Sequence, residues 1–448
     1  MKIKPFAHQK QSLEFMKSKH RVMDTSDPGT GKTFVQIIDF ANRRKKGGGC
    51  ALVVAPRSIL RSVWVNDFKK FAPNIICSVA DAKHRSTAMA ADADVYIVNI
   101  DGVKDLEKLK PAFWRKFDTL IIDEITKYKH HTSARSRAIT HLKRHFKWRR
   151  GLTGTPNANG LLDVWSPMYL IDDGQRLGIS FAQFRNSTCD RKPTGASGAR
   201  LDWVPRASSA AIVTALMQDI TIRHRLEACV DMPPYHEYTR ELELSSKLRD
   251  VYDEMVEQSI IMYRKRKITA VNAAVMYGKL LQIASGAVFD VDKNPVQIDS
   301  ERVELALDLV EEAPQALVFY MWHHQRDALV AEATKRGIVH AVIDSRKDPE
   351  ELVRHFQGGL YQILFAHPDA AAHGLTLTKA TRAIWASPTY NLEYRIQGNR
   401  RIYRIGQTQR TESITLLAKD TVDFVAHDSS DEKDSNMGAF LRFLEERA

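Results

Sequence analysis

The chain has 448 residues, 44% of them hydrophobic and 27% charged, the make-up of an ordinary globular protein with about two to four folded units. Its 66 Lys and Arg against 54 Asp and Glu leave a net charge of +12, which favours a polyanionic partner such as nucleic acid over an acidic small metabolite. Four cysteines with no C-x-x-C pair argue against a zinc site or a disulfide framework, and no apolar run reaches the roughly 20 residues needed to cross a bilayer.

In chain order, the start MKIKPFAHQK lacks the apolar core of a signal peptide, so the expected location is the cytoplasm. From residue 20 to 170 short apolar runs, RVMDT, CALVVAP, DVYIVNI, TLIIDE and RRGLTGT, alternate with amphipathic segments. That rhythm predicts a doubly wound α/β unit around a parallel sheet. The first run leads into DTSDPGTGKTF, in which Gly29, Thr30, Gly31, Lys32 and Thr33 stand between a strand and a helix. Backbone N–H groups and the helix N-terminus surround a phosphate in such a loop. Lys32 would reach the β and γ phosphates and the Thr33 hydroxyl would bind Mg²⁺. The alternative is a plain Gly-rich turn, because the strict pattern has a glycine where this chain has Ser26.

Further on, TLIIDEITKYK ends an apolar strand in Asp123 and Glu124. Adjacent acids at the end of a buried strand are costly unless they meet a cation or do proton chemistry. Asp123 would hold Mg²⁺ and Glu124 would polarise the attacking water, against the plainer reading of a helix cap. Residues 172–210 break the rhythm with a Gly-, Pro-, Ser- and Arg-rich insertion. Within it TCDRKPTGASGARLDWV predicts a hairpin that could act as a strand-steering pin, or else a surface loop. Pro233 and Pro234 mark a stiff connection, and the boundaries expected are 1–228 for the first unit, 229–240 for the linker and 241–448 for the second unit.

A helical insertion at about 244–290, with Leu248, Tyr252 and Met255 on one face, precedes a second α/β rhythm: ALVFYMW, VHAVID, QILFAH, RAIWAS and ESITLLA. In YRIQGNRRIYRIGQTQR, Arg401 and Arg404 fall three apart, which on a helix puts both guanidinium forks on one face, facing one phosphate or solvent. The basic runs HLKRHFKWRR and MYRKRK read as solvated helix faces or as a widened nucleic-acid track. The pairs His130–His131 and His323–His324 lack suitably spaced further ligands and read as surface or packing histidines.

Taken in order, these motifs resemble the Swi/Snf-type branch of the superfamily-two helicases and DNA translocases, over about residues 4 to 418. PFAHQ is similar to the glutamine motif, SDPGTGKT to Walker A, and VVAPRSIL with VWVNDF to motif Ia. IIDEIT is similar to Walker B, GLTGTPNANGLLDVW to motif III, ALVFYMWHHQRDAL to motif IV, and HGLTLTKATRAIWASPTYNLEYRIQGNRRIYRIGQ to motifs V and VI. The resemblance implies two tandem RecA-like doubly wound parallel sheets. It also implies ATP and Mg²⁺ as cofactors and DNA, forked, branched or single-stranded, as the partner of a motor acting as a monomer, without zinc or membrane attachment.

Residue by residue, it implies that Gln9 contacts adenine and that Gly29 to Thr33, Gly374 and Gln397 line the nucleotide. Thr153 and Thr155 would couple the nucleotide to movement, and Arg401 and Arg404 would be the arginine fingers. Arg57, Ser58 and Asn99 would contact the nucleic-acid backbone, with His367 and Thr376 doing so from the second unit. Thr126 stands where the family pattern has histidine, Ser26 and Asp27 replace the usual residues before the loop, and Arg400 occupies a position that is often acidic. The compact form resembles phage and bacterial members, placing the chain in a host cytoplasm if phage-encoded. It implies unwinding or branch migration of DNA, with protein-stripping duplex translocation or a nucleotide-switched binding and annealing role as alternatives.

Overall fold

A computed structural model describes residues 4–156, 160–194, 200–264, 270–289, 294–343, 350–371, 375–431, 440, 443–445 and 447. The chain divides into two compact units, residues 1–192 with 202–231, and residues 193–201 with 232–448.

The first unit is built on a seven-stranded sheet in the order Cys77–Ala80, Val95–Asn99, Cys50–Ala55, Phe117–Asp123, Trp148–Leu152, Arg21–Asp24, Thr221–Ile222, with neighbouring strands parallel throughout. Cys50–Ala55 is buried at all six positions because both sheet faces are covered. Side chains alternate between faces, so Ala51, Val53 and Ala55 join Ile37, Phe40 and Trp64 in one core, while Leu52 and Val54 join Ile139 and Met168 in the other. Each such aliphatic side chain contributes about 1.5–3 kcal/mol of burial, and truncating Ile121 to alanine would cost about 2–5 kcal/mol.

The second unit carries a six-stranded parallel sheet in the order Tyr235–Leu242, Thr411–Ala418, Arg382–Trp385, Ala316–Phe319, Ile363–Ala366, His340–Ile343. The extended stretch after Pro233–Pro234 thus continues as an edge strand, Tyr235–Leu242, in full register with Thr411–Ala418. The helical insertion is the pair Ser246–Arg264 and Ala270–Ala284, and Leu248, Tyr252, Leu280 and Ala284 pack into the same core as Ile384 and Ile414. Phe440 and Leu444 join that core.

The insertion of the first unit holds the helix Phe181–Thr188 and two strands, Cys189–Thr194 and Arg200–Pro205, that form their own two-stranded sheet. The expected hairpin is therefore present, while 195–199 lie outside the described residues.

Three of the cations in the basic run HLKRHFKWRR depart from both readings given to it, while His141, Arg144 and Lys147 are exposed. Lys143 and Arg149 turn inward onto Asp173 at 3.1 and 2.8 Å, and Arg150, fully buried, meets Asp39 at 3.2 Å. These three cations are used inside the unit, where leaving one unpaired would be far costlier than exposing it. His131 packs its ring 4.6 Å from Phe181, and His324 bonds the Ser285 hydroxyl at 2.9 Å; both are packing residues.

Candidate active site

Strands Phe117–Asp123, Trp148–Leu152 and Arg21–Asp24 are neighbours, and Leu152 pairs in register with both Asp123 and Asp24. Their carboxyl ends bring the Gly-rich loop, the acidic pair and the Thr153 turn to one edge, the position where open α/β sheets bind ligands.

The loop depends on its glycines. Gly29 and Gly31 have φ of 91° and 82°, a backbone region that side chains rarely enter, and Gly31 precedes the helix Lys32–Arg44. A Cβ on Gly31 would lie 2.4 Å from Gln9 Nε2. Gln9 itself donates from Nε2 to the Thr30 carbonyl at 3.2 Å and accepts the Phe6 N–H at 3.0 Å. The neighbouring His8 Nε2 donates to the same carbonyl at 2.8 Å, so the helix Ala7–Met16 is fastened to the loop. The Thr30 hydroxyl donates back to the Asp27 carbonyl at 2.8 Å.

Lys32 donates its ammonium to the carbonyls of Ser26 and Asp27 at 2.6 and 3.1 Å. Burial holds it below the ordinary lysine range, against the pull of Asp24, Glu124, Asp123 and Asp27. Thr33 follows it, half-buried in the first turn of the helix.

Ser26 and Asp27, which depart from the family pattern, have work of their own. The Ser26 hydroxyl accepts the His224 N–H at 3.1 Å and a carboxylate oxygen of Asp27 accepts that of Leu226 at 3.1 Å. The Thr25 and Asp27 N–H groups donate to the carbonyls of Ile222 and His224 at 2.8 and 2.9 Å. Segment 222–226 is thus laced to the loop, a role the sequence reading missed. Beside it lies a cavity of about 520 Å³ lined by His8, Gln11, Arg223, His224, Arg225 and Cys229, among others.

Asp123 Oδ2 accepts the Trp64 indole N–H at 2.9 Å, and its other oxygen accepts the Glu124 N–H at 3.1 Å. Burial raises its carboxyl above the usual range, opposed by Trp64, Lys32 and the Glu124 N–H. Glu124 sits at φ 55°, ψ 53°, a left-handed conformation that costs a non-glycine residue about 1 kcal/mol or more. Its carboxylate accepts the hydroxyls of Thr153 at 3.2 Å and Thr126 at 3.4 Å, and Thr153 Oγ1 accepts the Thr155 N–H at 3.1 Å. Thr126, in the turn Ile125–Tyr128 where the family pattern has histidine, thus bonds back to the acid, while Thr153 ties it to the end of the strand Trp148–Leu152.

In the second unit the helix Leu392–Asn399 ends with Arg400 at its C-cap. This corrects the expectation for the arginines: Arg401 and Arg404 lie in the turn beyond the helix, not on its face. They converge nonetheless, because both donate to the Leu375 carbonyl, at 3.3 and 2.9 Å, and Arg401 also donates to the Gln397 carbonyl at 2.8 Å. Gln397 is buried and donates to Glu393 at 3.1 Å, while Gly374 lies outside the described residues. Gly398 lets the helix approach the sheet, since a Cβ there would meet Trp385 at 2.7 Å.

The expected nucleic-acid contacts fall in both units. Arg57 is exposed, the Ser58 carbonyl accepts the Ser62 hydroxyl at 2.7 Å, and the Asn99 side chain accepts from Arg85 at 3.0 Å. His367, half-buried with its pKa lowered by burial, has its ring 5.9 Å from Tyr320, and Thr376 is half-buried. Among the described residues no helix is long and apolar enough to cross a membrane.

The SNF2-related domain family matches residues 8–285. The chain is 29% identical over 434 residues to protein p41 of Acyrthosiphon pisum secondary endosymbiont phage 1, covering 90% of this chain and 91% of that one. It is 24% identical over 416 residues to an uncharacterized ATP-dependent helicase of Mycoplasma pneumoniae, covering 88% of this chain but 38% of that one. Among solved structures, the Sulfolobus solfataricus SWI2/SNF2 ATPase core in complex with dsDNA is 20% identical with a TM-score of 0.46, over 95% of this chain and 90% of that one.

Proposed function

The chain belongs to the SNF2-related domain family, the DNA-dependent ATPases of helicase superfamily two, and from that premise we propose that it is an ATP-driven motor that remodels forked or branched DNA. The observation that carries this reading is the meeting of Lys32, Asp123, Glu124 and Thr153 at the carboxyl ends of three adjacent strands.

The residues fit the groups the reaction needs. Lys32 holds neutral carbonyls, and a phosphate oxygen makes the stronger charge-assisted partner. Asp123 is a half-buried carboxylate whose oxygens each retain a lone pair, so with the Thr33 hydroxyl it would hold Mg²⁺, which supplies charge neutralisation to the β and γ phosphates. Glu124, fixed by two hydroxyls, would orient the attacking water and accept its proton. Gly29, Thr30 and Gly31 would wrap the phosphates, and Gln9 would hold the loop beside the adenine. Gly374 and Gln397 would line the nucleotide, and Arg401 and Arg404 would neutralise charge developing on the γ-phosphate.

Arg57, Ser58, Asn99, His367 and Thr376 would take the nucleic-acid backbone, giving sequence-independent, salt-sensitive binding. Phosphate release should rise on adding DNA and fall by about a hundredfold or more in Lys32→Ala and in Glu124→Gln. Unchanged rates in both variants would favour a nucleotide-switched binding or annealing protein. A forked-duplex assay at several salt concentrations tests the remodelling role: displaced protein without displaced strand would assign it to duplex translocation instead.

A further inference from the structure

A two-stranded ribbon is marginally stable alone, yet the one formed by Cys189–Thr194 and Arg200–Pro205 is firmly based. Arg206 donates its guanidinium to the Asp190 carboxylate at 2.9 Å and to the carbonyls of Asn186 and Cys189 at 3.1 and 3.3 Å. The Ser209 hydroxyl adds a bond to the Thr188 carbonyl at 2.6 Å. The preceding helix, Phe181–Thr188, buries Phe184 in the core of the first unit and sets Phe181 4.6 Å from His131 and 5.6 Å from Trp165. His131 follows the Asp123–Glu124 turn and Trp165 follows Thr153–Thr155, so the ribbon is fixed to the body that carries the acidic pair.

On that base the half-buried Trp203 has two guanidinium groups over its ring, Arg185 at 4.1 Å and Arg191 at 5.4 Å from the centroid. Stacking holds a guanidinium flat and ordered while leaving its N–H rim available. Arg185 Nε is buried without a partner, and Arg191 and the adjacent Lys192 are exposed. Among the described residues none of these three cations is paired with a carboxylate, whereas Arg206 has Asp190. A purely structural cluster would be neutralised as the Arg149–Asp173 pair is. Ordered cations without acids, gathered around one indole at the base of the ribbon, suit a phosphodiester chain.

We propose that Arg185, Arg191 and Lys192, arranged around Trp203, grip the DNA backbone and hold one strand of a fork during unwinding. This rests on the DNA-motor reading and assigns it a strand-holding element. The test is binding of a labelled fork by the full chain, measured between about 50 and 200 mM salt, for wild type and for Arg185→Gln/Arg191→Gln/Lys192→Gln. Loss of the phosphate contacts should make the slope of log K against log salt shallower by about two. The amount of displaced strand should also fall at least about tenfold, since each lost contact weakens grip on the fork. Arg185→Lys/Arg191→Lys, which keeps the charge, should restore most of the slope. A triple variant with wild-type slope and affinity, and an unchanged thermal midpoint, would overturn the proposal. A wild-type chain that binds forks with the full slope but shows no DNA-stimulated phosphate release would remove the motor reading while leaving the slope comparison valid.

Discussion

The acidic end of the first sheet and the arginine turn of the second unit are secured by different chemistry. Asp123 and Glu124 are held by side-chain donors, Trp64 for the first and Thr153 with Thr126 for the second. Arg401 and Arg404 both donate to a backbone carbonyl, that of Leu375, and Lys32 likewise rests on the carbonyls of Ser26 and Asp27. A bond between a cation and a neutral carbonyl is weaker than one between a cation and an anionic oxygen. The acids are therefore held by fixed side-chain donors, whereas Lys32, resting on two neutral carbonyls, is able to exchange one of them for a phosphate.

The comparison can be broken most severely at the arginines. If Arg404 neutralises the γ-phosphate, Arg404→Ala should lower DNA-stimulated hydrolysis by about 10³-fold or more, with nucleotide affinity nearly kept. A loss within about threefold, well below the range for such a finger, would make the Leu375 contact purely structural.

A smaller effect is expected where a donor is removed from a fixed acid. Trp64→Phe deletes a hydrogen bond to a charged group, worth about 1.5–3 kcal/mol, so hydrolysis should fall about ten- to hundredfold. The pH dependence carries a definite sign. Burial already raises the Asp123 carboxyl, and a cation-holding carboxylate must be ionised. Activity should therefore be lost as pH falls, at a higher pH than an ordinary aspartate would give, and Trp64→Phe should move that loss higher still. A pH–rate profile of the variant parallel to wild type would show that the indole does not tune the acid.

The smallest change should come from Thr126→Val, which removes a 3.4 Å bond while Thr153 keeps its own at 3.2 Å. About a threefold decrease is expected, because a bond of 3.4 Å is at the long limit and contributes well below a normal bond to a carboxylate. If Thr126→Val costs as much as Thr153→Val, the two hydroxyls act as a unit.

The sheets and the phosphate loop were legible because continuous apolar runs and Gly-x-Gly-Lys-Thr are local patterns. The lacing of Thr25, Ser26 and Asp27 to segment 222–226 was not, since two of its four bonds use backbone N–H groups nearly 200 positions away and the other two use backbone carbonyls there. Arg150 was misjudged for a related reason: its acid, Asp39, lies 111 positions earlier on another element. The spacing of Arg401 and Arg404 pointed to a shared target but not to the end of the helix at Asn399, because Gly398 and Asn399, which stand there, read as part of a continuing helix. Trp64 carried a signal that could have been used, a large indole within the motif Ia stretch, but its hydrogen-bond partner could not be read from the letters.

The Arg150–Asp39 pair has a mechanical consequence. It pins the helix Lys32–Arg44, a rod of about 20 Å, at mid-length to the adjacent strand, with Asp39 8% exposed and Arg150 not at all. A helix moored there in the dry interior cannot glide along its axis over the sheet. Any rearrangement that begins at Gly31 has to be absorbed by the turn before it and by the 222–226 backbone sewn to that turn, which makes this stretch, rather than the helix, the compliant part of the lobe.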